Sequence, residues 1–204
     1  MKQFIVLSCC AVLLLLQAAD GFALNKTSVT SALPPSSQVS DHGGKIDAKY
    51  DGFTYETVVA LKKMGVTCGG KRGMQGVLKD TCVSLAASLH CPGQQLDYVR
   101  YAKLQLVFEA KDWDQRHSVD ARELLVVADG VTLKLGRMAL VNQNAGDARL
   151  VDVMREVLEV SLPYQTFLKI ARAQTVEMRV GRSVVALQEK NLSALRDLNN
   201  RVKL

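Results

Sequence analysis

Aromatic residues are scarce in this chain, which has five Phe, five Tyr and one Trp among its 204 residues. Proteins that bind single-stranded nucleic acids stack the bases on aromatic side chains, so this composition argues against that class. Apolar runs are short as well, and none reaches the roughly twenty residues that a membrane-spanning helix needs. The sequence also has no internal repeat and no complete catalytic or cofactor-binding motif. It therefore predicts no enzyme class and no cofactor.

The first 23 residues have the layout of a secretory signal peptide. Lys2 gives a positive start, residues 4–16 form a continuous apolar run, and a small-x-small site ends at Ala23. We expect cleavage after Ala23 and a secreted or periplasmic protein with no transmembrane segment in the mature chain. Residues 24–48 are rich in Ser, Thr, Pro and Gly and predict a flexible linker, which leaves residues 49–204 as a single globular domain.

Alternation of apolar and polar residues dominates the globular domain and predicts β-strands. Seven segments show it: residues 55–61, 81–90, 101–110, 131–135, 137–142, 154–162 and 176–180. Two further strands are predicted from apolar runs, residues 122–128 and 183–187. Most are joined by short connections, which favour antiparallel pairing. Asp129-Gly130 and Gly181-Arg182 are typical two-residue hairpin turns. The predicted fold is β-rich, of the α+β class, a mostly antiparallel sandwich or bent sheet of about nine strands.

Two helices are predicted to pack on this sheet near the C-terminus. Pro163 suits a first helical turn, and Asn191 is a favourable N-cap for a last helix. The residues that carry a family likeness are Leu162-Pro163-Tyr164-x-x-Phe167, Val176-Glu177-Met178-x-x-Gly181 and Leu192-x-x-Leu195-Arg196-x-Leu198. This set of motifs resembles a C-terminal sequence pattern in uncharacterised exported bacterial proteins. The resemblance covers roughly residues 154–204 and implies no activity.

Export would place the cysteines in an oxidising compartment. Two of the five leave with the leader, so the mature chain keeps Cys68, Cys82 and Cys91. An odd number predicts one disulfide and one free thiol, and the sequence does not select the pair. The alternative is a zinc site made by these cysteines and His90. Its spacing lacks a paired C-x-x-C, and adjacent residues of a strand point to opposite faces.

Basic residues gather around a glycine-rich segment, in a chain whose formal net charge is +6. They are Lys62, Lys63, Lys71, Arg72 and Lys79. An anionic partner would be attracted by the positive field of such a cluster. A solvated basic surface explains the pattern equally well, because basic and acidic residues alternate elsewhere. The basic loop 62–79 is therefore a candidate anion-binding site.

The most polar segment inside the domain is the acidic loop 109–120. It contains Asp112, Asp114 and His117 beside the single Trp. Carboxylates and an imidazole can act as acid and base in hydrolysis. The further ligands of a calcium loop are missing, and the sequence assigns no Ser or Cys nucleophile to His117. A solvated loop explains these residues as well.

Three functions follow, in order of support. The first is an exported, non-enzymatic binding or structural module. The second is an extracellular hydrolase that uses the acidic loop 109–120, and the third is attachment to an anionic polymer through the basic loop 62–79. The expected partner is a protein or an anionic polymer of the cell envelope or the extracellular space, and neither a metal nor a cofactor is expected.

Overall fold

The computed structural model describes residues 41–68, 81–110, 117–145 and 154–202. Within these residues the chain forms ten strands and two α-helices. The strands are β1 (Ile46–Asp51), β2 (Glu56–Cys68), β3 (Thr81–Pro92), β4 (Tyr101–Ala110), β5 (Glu123–Ala128), β6 (Val131–Arg137), β7 (Ala139–Ala145), β8 (Met154–Leu162), β9 (Val176–Val180) and β10 (Ser183–Ala186). The helices are α1 (Tyr164–Arg172) and α2 (Glu189–Asn200), and a short 3₁₀ turn, Val119–Ala121, precedes β5.

The strands pair into two antiparallel sheets. The six-stranded sheet has the order β1-β2-β3-β4-β8-β7, and the four-stranded sheet has the order β10-β9-β5-β6. In the first sheet β1 to β4 form a meander, in which each strand pairs with the next one in the chain. In the second sheet two hairpins, β5–β6 and β9–β10, join through β5 and β9. The prediction of a β-rich, mostly antiparallel fold with two helices near the C-terminus is confirmed.

The core lies between the inner face of the six-stranded sheet, the four-stranded sheet and the two helices. Its largest side chains include Leu85, Leu104, Val126, Phe167 and Leu195, which are all fully buried. Burying a side chain of this size stabilises the fold by about 1.5–3 kcal/mol. Both helices contact the six-stranded sheet as well as each other. Neither helix, among the residues described, has the length and apolar character needed to span a membrane.

The second strand differs from the predicted segment 55–61. Tyr55 precedes the strand, with a φ of +51° and 72% of its surface exposed. The strand continues to Cys68, with register shifts after Leu61 and after Gly65. A bulge inserts a residue and moves the following side chains to the other face. The alternation therefore breaks at Lys62, which hides the second half of β2 in the sequence.

The first strand lies partly inside segment 24–48, for which the sequence predicts a linker. It begins at Ile46, and Ala48 is buried opposite Val59. The preceding His42 is also buried, with its Nε2 3.2 Å from the Asp197 carboxylate of α2. The folded body therefore includes residues that precede position 49.

The last helix begins two residues before Asn191, so the predicted N-cap is wrong. Gln188 is the N-cap, and Asn191 is the third residue of α2. The Asn191 Oδ1 accepts the Gln188 backbone N–H at 3.0 Å, and its Nδ2 donates to the Gly65 carbonyl oxygen at 3.1 Å. A side chain at this position can cap the helix by reaching back, which gives a sequence signal similar to that of an N-cap.

Candidate functional site

A pocket lies on the face of the six-stranded sheet that is turned away from the core, which we call the outer face. Its volume is about 290 Å³. The residues that line it come from four neighbouring strands: Val58, Ala60, Leu61, Ala86, Ala87, Ser88, His90, Lys103, Gln105 and Glu159. Alternate residues of a strand share a face, so Ala86, Ser88 and His90 of β3 stand in one row. Small side chains thus form the floor, and longer polar ones surround it.

One polar group of the pocket joins Ser88, His90 and Glu56. The Ser88 Oγ lies 3.1 Å from the His90 Nε2, and the His90 Nδ1 lies 2.9 Å from the Glu56 Oε2. The register places Val58 opposite His90, so Glu56 reaches the ring diagonally from β2. Tyr101 of β4 stacks on the imidazole, with ring centroids 4.3 Å apart and planes inclined by 14°. The ring is therefore held by a carboxylate on its edge and a phenol on its face.

The chemistry of this arrangement follows from the two ring nitrogens. When Nδ1 carries the proton and donates it to Glu56, the Nε2 lone pair is free to accept the Ser88 hydroxyl proton. Serine hydroxyls become nucleophiles when a base takes this proton, and the base needs a third group to orient it. Ser88, His90 and Glu56 have the residue types and the hydrogen-bond reach for these three roles.

A second polar group joins Lys103, Gln105 and Glu159. The Lys103 Nζ donates to Glu159 Oε1 at 2.7 Å, and the Gln105 Nε2 donates to Glu159 Oε2 at 2.6 Å. Burial raises the pKa of Glu159, but the hydrogen bonds from Lys103 and Gln105 together outweigh burial and hold this pKa below its ordinary value. The hydrogen bond to Glu159 raises the pKa of Lys103. Both side chains therefore remain ionised at neutral pH.

The interior of the protein contains a second set of the same three residue types. The His117 Nδ1 lies 2.8 Å from Glu156 Oε2, and its Nε2 lies 3.0 Å from the Ser183 Oγ. All three side chains are buried, with 5–7% of each residue exposed. Within the described part of the chain the Glu156 Oε1 makes no hydrogen bond, and the Arg122 guanidinium is 3.8 Å away from it. This buried set joins the two sheets, because Glu156 belongs to β8 and Ser183 to β10.

Of the predicted acidic site, the structure describes His117. Asp112 and Asp114 lie outside the described residues. The sequence offers no serine partner for His117, whereas the structure places Ser183 beside it from 66 residues further along the chain. Such a pairing depends on the packing of one sheet against the other, which local patterns do not report.

Of the predicted basic site, the structure describes Lys62 and Lys63, while Lys71, Arg72 and Lys79 lie outside the described residues. Both lysines are part of β2, not of a loop. The Lys62 Nζ lies 2.8 Å from an Asp47 carboxylate oxygen, and the Lys63 Nζ lies 2.7 Å from Glu109 Oε1. Each of these charges is therefore paired within the protein.

The cysteines form one disulfide, between Cys68 and Cys82, and Cys91 is a free, buried thiol. The two bonded residues are directly opposite each other in β2 and β3. Cys91 faces the core, while its neighbour His90 faces the pocket. This arrangement rules out a zinc site made by these four residues. Among the residues described, no group of three or more His, Cys, Asp or Glu side chains could hold a metal ion.

The sequence contains one signal for the pocket, the Ser88-x-His90 spacing, which places both side chains on one face of a strand. Their partner Glu56 is 34 residues from His90, and no local pattern connects the two. Comparison of the chain with protein-family models, with curated proteins and with solved structures finds no match. A functional proposal for this chain therefore depends on the geometry of the outer face.

Proposed function

We propose that this chain is an exported binding protein that holds a small, neutral, hydroxyl-rich ligand in the outer-face pocket. The observation that carries the proposal is the convergence of Ser88, His90, Lys103, Gln105 and Glu159 around one depression of about 290 Å³. Ligand sites are concave and combine an apolar floor with a few fixed polar groups, and their volumes begin at about 300 Å³. The pocket has these properties at the small end of the range.

The depression exists because small side chains occupy the middle of the sheet. The side chains of Ala60 and Ala86 are single methyl groups, whereas Lys103 and Gln105 on β4 have long side chains. Glu159 binds both of these long side chains and fixes them beside the floor. A binding site ordered before the ligand arrives loses less conformational entropy on binding. The pocket is therefore preorganised by contacts within the protein.

The charges in the pocket favour a neutral ligand over an anionic one. Lys103 is the lysine of the lining, and its ammonium is compensated by Glu159 at 2.7 Å. Glu56 adds a second carboxylate next to His90. The hydrogen-bond donors and acceptors in and beside the pocket therefore belong to an ammonium, an amide, a hydroxyl and two carboxylates. Together these groups complement the hydroxyl groups of a ligand. A mono- or disaccharide matches this chemistry and this volume.

Export is supported by two independent features. The first 23 residues have the order of charge, apolar run and small-residue site that a signal peptide has. Cys68 and Cys82 form a disulfide, and disulfides persist mainly in oxidising compartments. An exported chain that binds sugars would act at the cell surface or in the periplasm.

Binding can be tested by NMR titration of ¹⁵N-labelled residues 24–204 with glucose, N-acetylglucosamine and maltose. We expect amide shifts confined to the pocket residues of β2, β3, β4 and β8. Ala86→Phe should abolish these shifts, because the larger side chain fills the depression. Ala186→Phe is the matched control: it makes the same substitution at an exposed position of β10 in the other sheet, and binding should persist. Absence of shifts with all three sugars at millimolar concentration, or shifts that survive Ala86→Phe, would refute the proposal.

A further inference from the structure

We infer that the outer-face pocket also cleaves short acyl esters, with Ser88 as the nucleophile, His90 as the general base and Glu56 as the residue that orients the base. The inference rests on the proposed function, because it takes the pocket to be where the ligand binds. It adds a reaction to that binding. An acyl ester of a sugar would be both a ligand of this pocket and a substrate for Ser88.

The geometry that supports the inference is a continuous hydrogen-bonded line from carboxylate to hydroxyl. Glu56 Oε2 lies 2.9 Å from His90 Nδ1, and His90 Nε2 lies 3.1 Å from Ser88 Oγ. Nucleophile and base in acyl-transfer enzymes lie within about 2.6–3.2 Å of each other, and the base is oriented by a third group. Stacking against Tyr101 at 4.3 Å further limits rotation of the ring.

Access distinguishes this group from the buried one. Ser183, His117 and Glu156 repeat the same hydrogen bonds, but each residue is 5–7% exposed. Ser88, in contrast, is partly exposed and lines an open pocket, while His90 behind it is nearly as buried as His117, with 8% of its surface exposed. A substrate can therefore reach Ser88 and not Ser183, so the buried group serves as an internal control for the proposed reaction.

The reaction begins when Ser88 Oγ attacks the carbonyl carbon of the ester and its proton moves to His90 Nε2. The bond between that carbon and the alcohol oxygen breaks, and the alcohol leaves with the proton from His90. A water molecule then attacks the acyl-serine and gives its proton to His90. The carboxylic acid departs and the Ser88 hydroxyl is restored, so no oxidant or reductant is needed.

The negative charge that develops on the carbonyl oxygen needs a positive group nearby. The backbone N–H groups of β3 are committed to β2 and β4, which flank it on both sides. Lys103 stands directly opposite Ser88 in β4, where side chains of facing residues lie about 5 Å apart at Cβ. Lysine can stabilise a developing oxyanion electrostatically. We assign this role to Lys103, whose ammonium keeps two further N–H donors besides the one that it gives to Glu159.

The lining next to Ser88 determines the size of the acyl group. Ala60 faces Ser88 from β2, and Ala86 precedes it by two residues on the same face. Val58 adds a further short apolar side chain. An acetyl group fits a floor of this depth, whereas a long acyl chain would extend beyond the pocket. The substrate class is therefore a short-chain ester of a hydroxyl compound.

The test uses an alkyl fluorophosphonate, which phosphonylates activated serines with release of fluoride, on residues 24–204. We expect one adduct, which peptide mass spectrometry places on Ser88. The Ser88→Ala variant should lose the adduct and at least about 100-fold of the p-nitrophenyl acetate hydrolysis, the lower bound for loss of such a group. Ser161→Ala is the matched control, because Ser161 flanks Lys103 on the opposite side and is exposed. It should retain labelling and hydrolysis.

Labelling of the unmodified chain needs no variant, so the test does not depend on whether a variant folds. An unlabelled Ser88, or a label on Ser161 or Ser183, would overturn the inference. The role of His90 is tested with His90→Gln, whose amide cannot take the Ser88 proton and which should therefore lose labelling of Ser88. If the sugars bind and Ser88 stays unlabelled, the binding proposal stands and the esterase inference fails.

Discussion

His90 and Cys91 are adjacent in β3, and the two faces of the strand give them opposite properties. His90 faces the pocket, where Glu56, Ser88 and Tyr101 surround it. Cys91 faces the core and is fully buried. Two adjacent positions of one strand thus supply a polar group to the pocket and a buried side chain to the core. Alternation of side chains is what makes both possible within two residues.

Cys91 should be protected from alkylation in the folded protein. Burial, together with the smaller effects of the negative charges of Glu56 and Asp97, raises the pKa of its thiol from 9.0 to about 11. The thiolate is the reactive form, and at pH 8 such a pKa leaves about one part in a thousand ionised. Treatment with iodoacetamide at pH 8 without reductant should modify no cysteine of residues 24–204 in the folded state and one in guanidinium. Intact mass measures both.

Adding a reductant to the unfolded sample should raise the number of modified cysteines to three, which is the control for complete access. Three modified cysteines without reductant would contradict the disulfide. The raised pKa also sets a pH window. The folded state resists ionisation of this thiol, so its contribution to the free energy of unfolding is complete below pH 9 and is lost as the pH rises through about 11.

At the scale of elements, the sequence predicted most strands because a half-buried strand leaves a period of two. β4 and β8 have the predicted bounds. Two of the predicted boundaries, those of β2 and α2, were wrong for identifiable physical reasons. A bulge after Leu61 broke the alternation within β2, and a capping side chain that reaches back displaced the predicted start of α2. Local patterns predict elements whose geometry is regular, and irregular geometry removes the pattern.

Two glycines of the hairpin turns and one glycine of a strand provide a series of three Gly→Ala substitutions with graded effects. Gly130 has a φ of +81° with open space around a new Cβ, so Gly130→Ala should lower the free energy of unfolding by about 1–2 kcal/mol. At Gly181, with a φ of +55°, a Cβ would also lie 2.9 Å from the Ala121 carbonyl oxygen. Gly181→Ala should therefore be more destabilising than Gly130→Ala. Urea denaturation measures both.

The control for this series is Gly65→Ala. Gly65 lies in β2, outside the positive-φ region, and a Cβ there would meet nothing within 4 Å. We expect a change of no more than about 0.5 kcal/mol, as for an unstrained surface substitution. A loss at Gly65 equal to that at Gly181 would show that backbone strain is not the reason for glycine at the turns.

At the scale of the whole molecule, pairings between distant segments decide where chemistry is possible. Glu56 reaches His90 across 34 positions, and Glu159 reaches Lys103 across 56. Alternation within segments 81–90 and 101–110 puts Ser88 and His90 on one face of their strand and Lys103 and Gln105 on one face of theirs. It could not predict which strands are neighbours, because strand order depends on the packing of the whole sheet. The pocket is therefore a property of the fold, although each of its strands was predicted locally.

Export is expected to change the intact mass of the protein in two ways. When the full chain is produced in a bacterium, the exported fraction should have the mass of residues 24–204 less two hydrogens. The shorter chain is expected because a signal peptidase should cut after Ala23. The loss of two hydrogens is expected because Cys68 forms a disulfide with Cys82. Leu14→Arg is the control, since a charge in the apolar run should block export and leave the chain uncut and its thiols reduced. The prediction would be contradicted by an exported chain that retains residues 1–23, or by one whose cysteines are all reduced. Either result would also contradict the proposal that the pocket acts at the cell surface or in the periplasm.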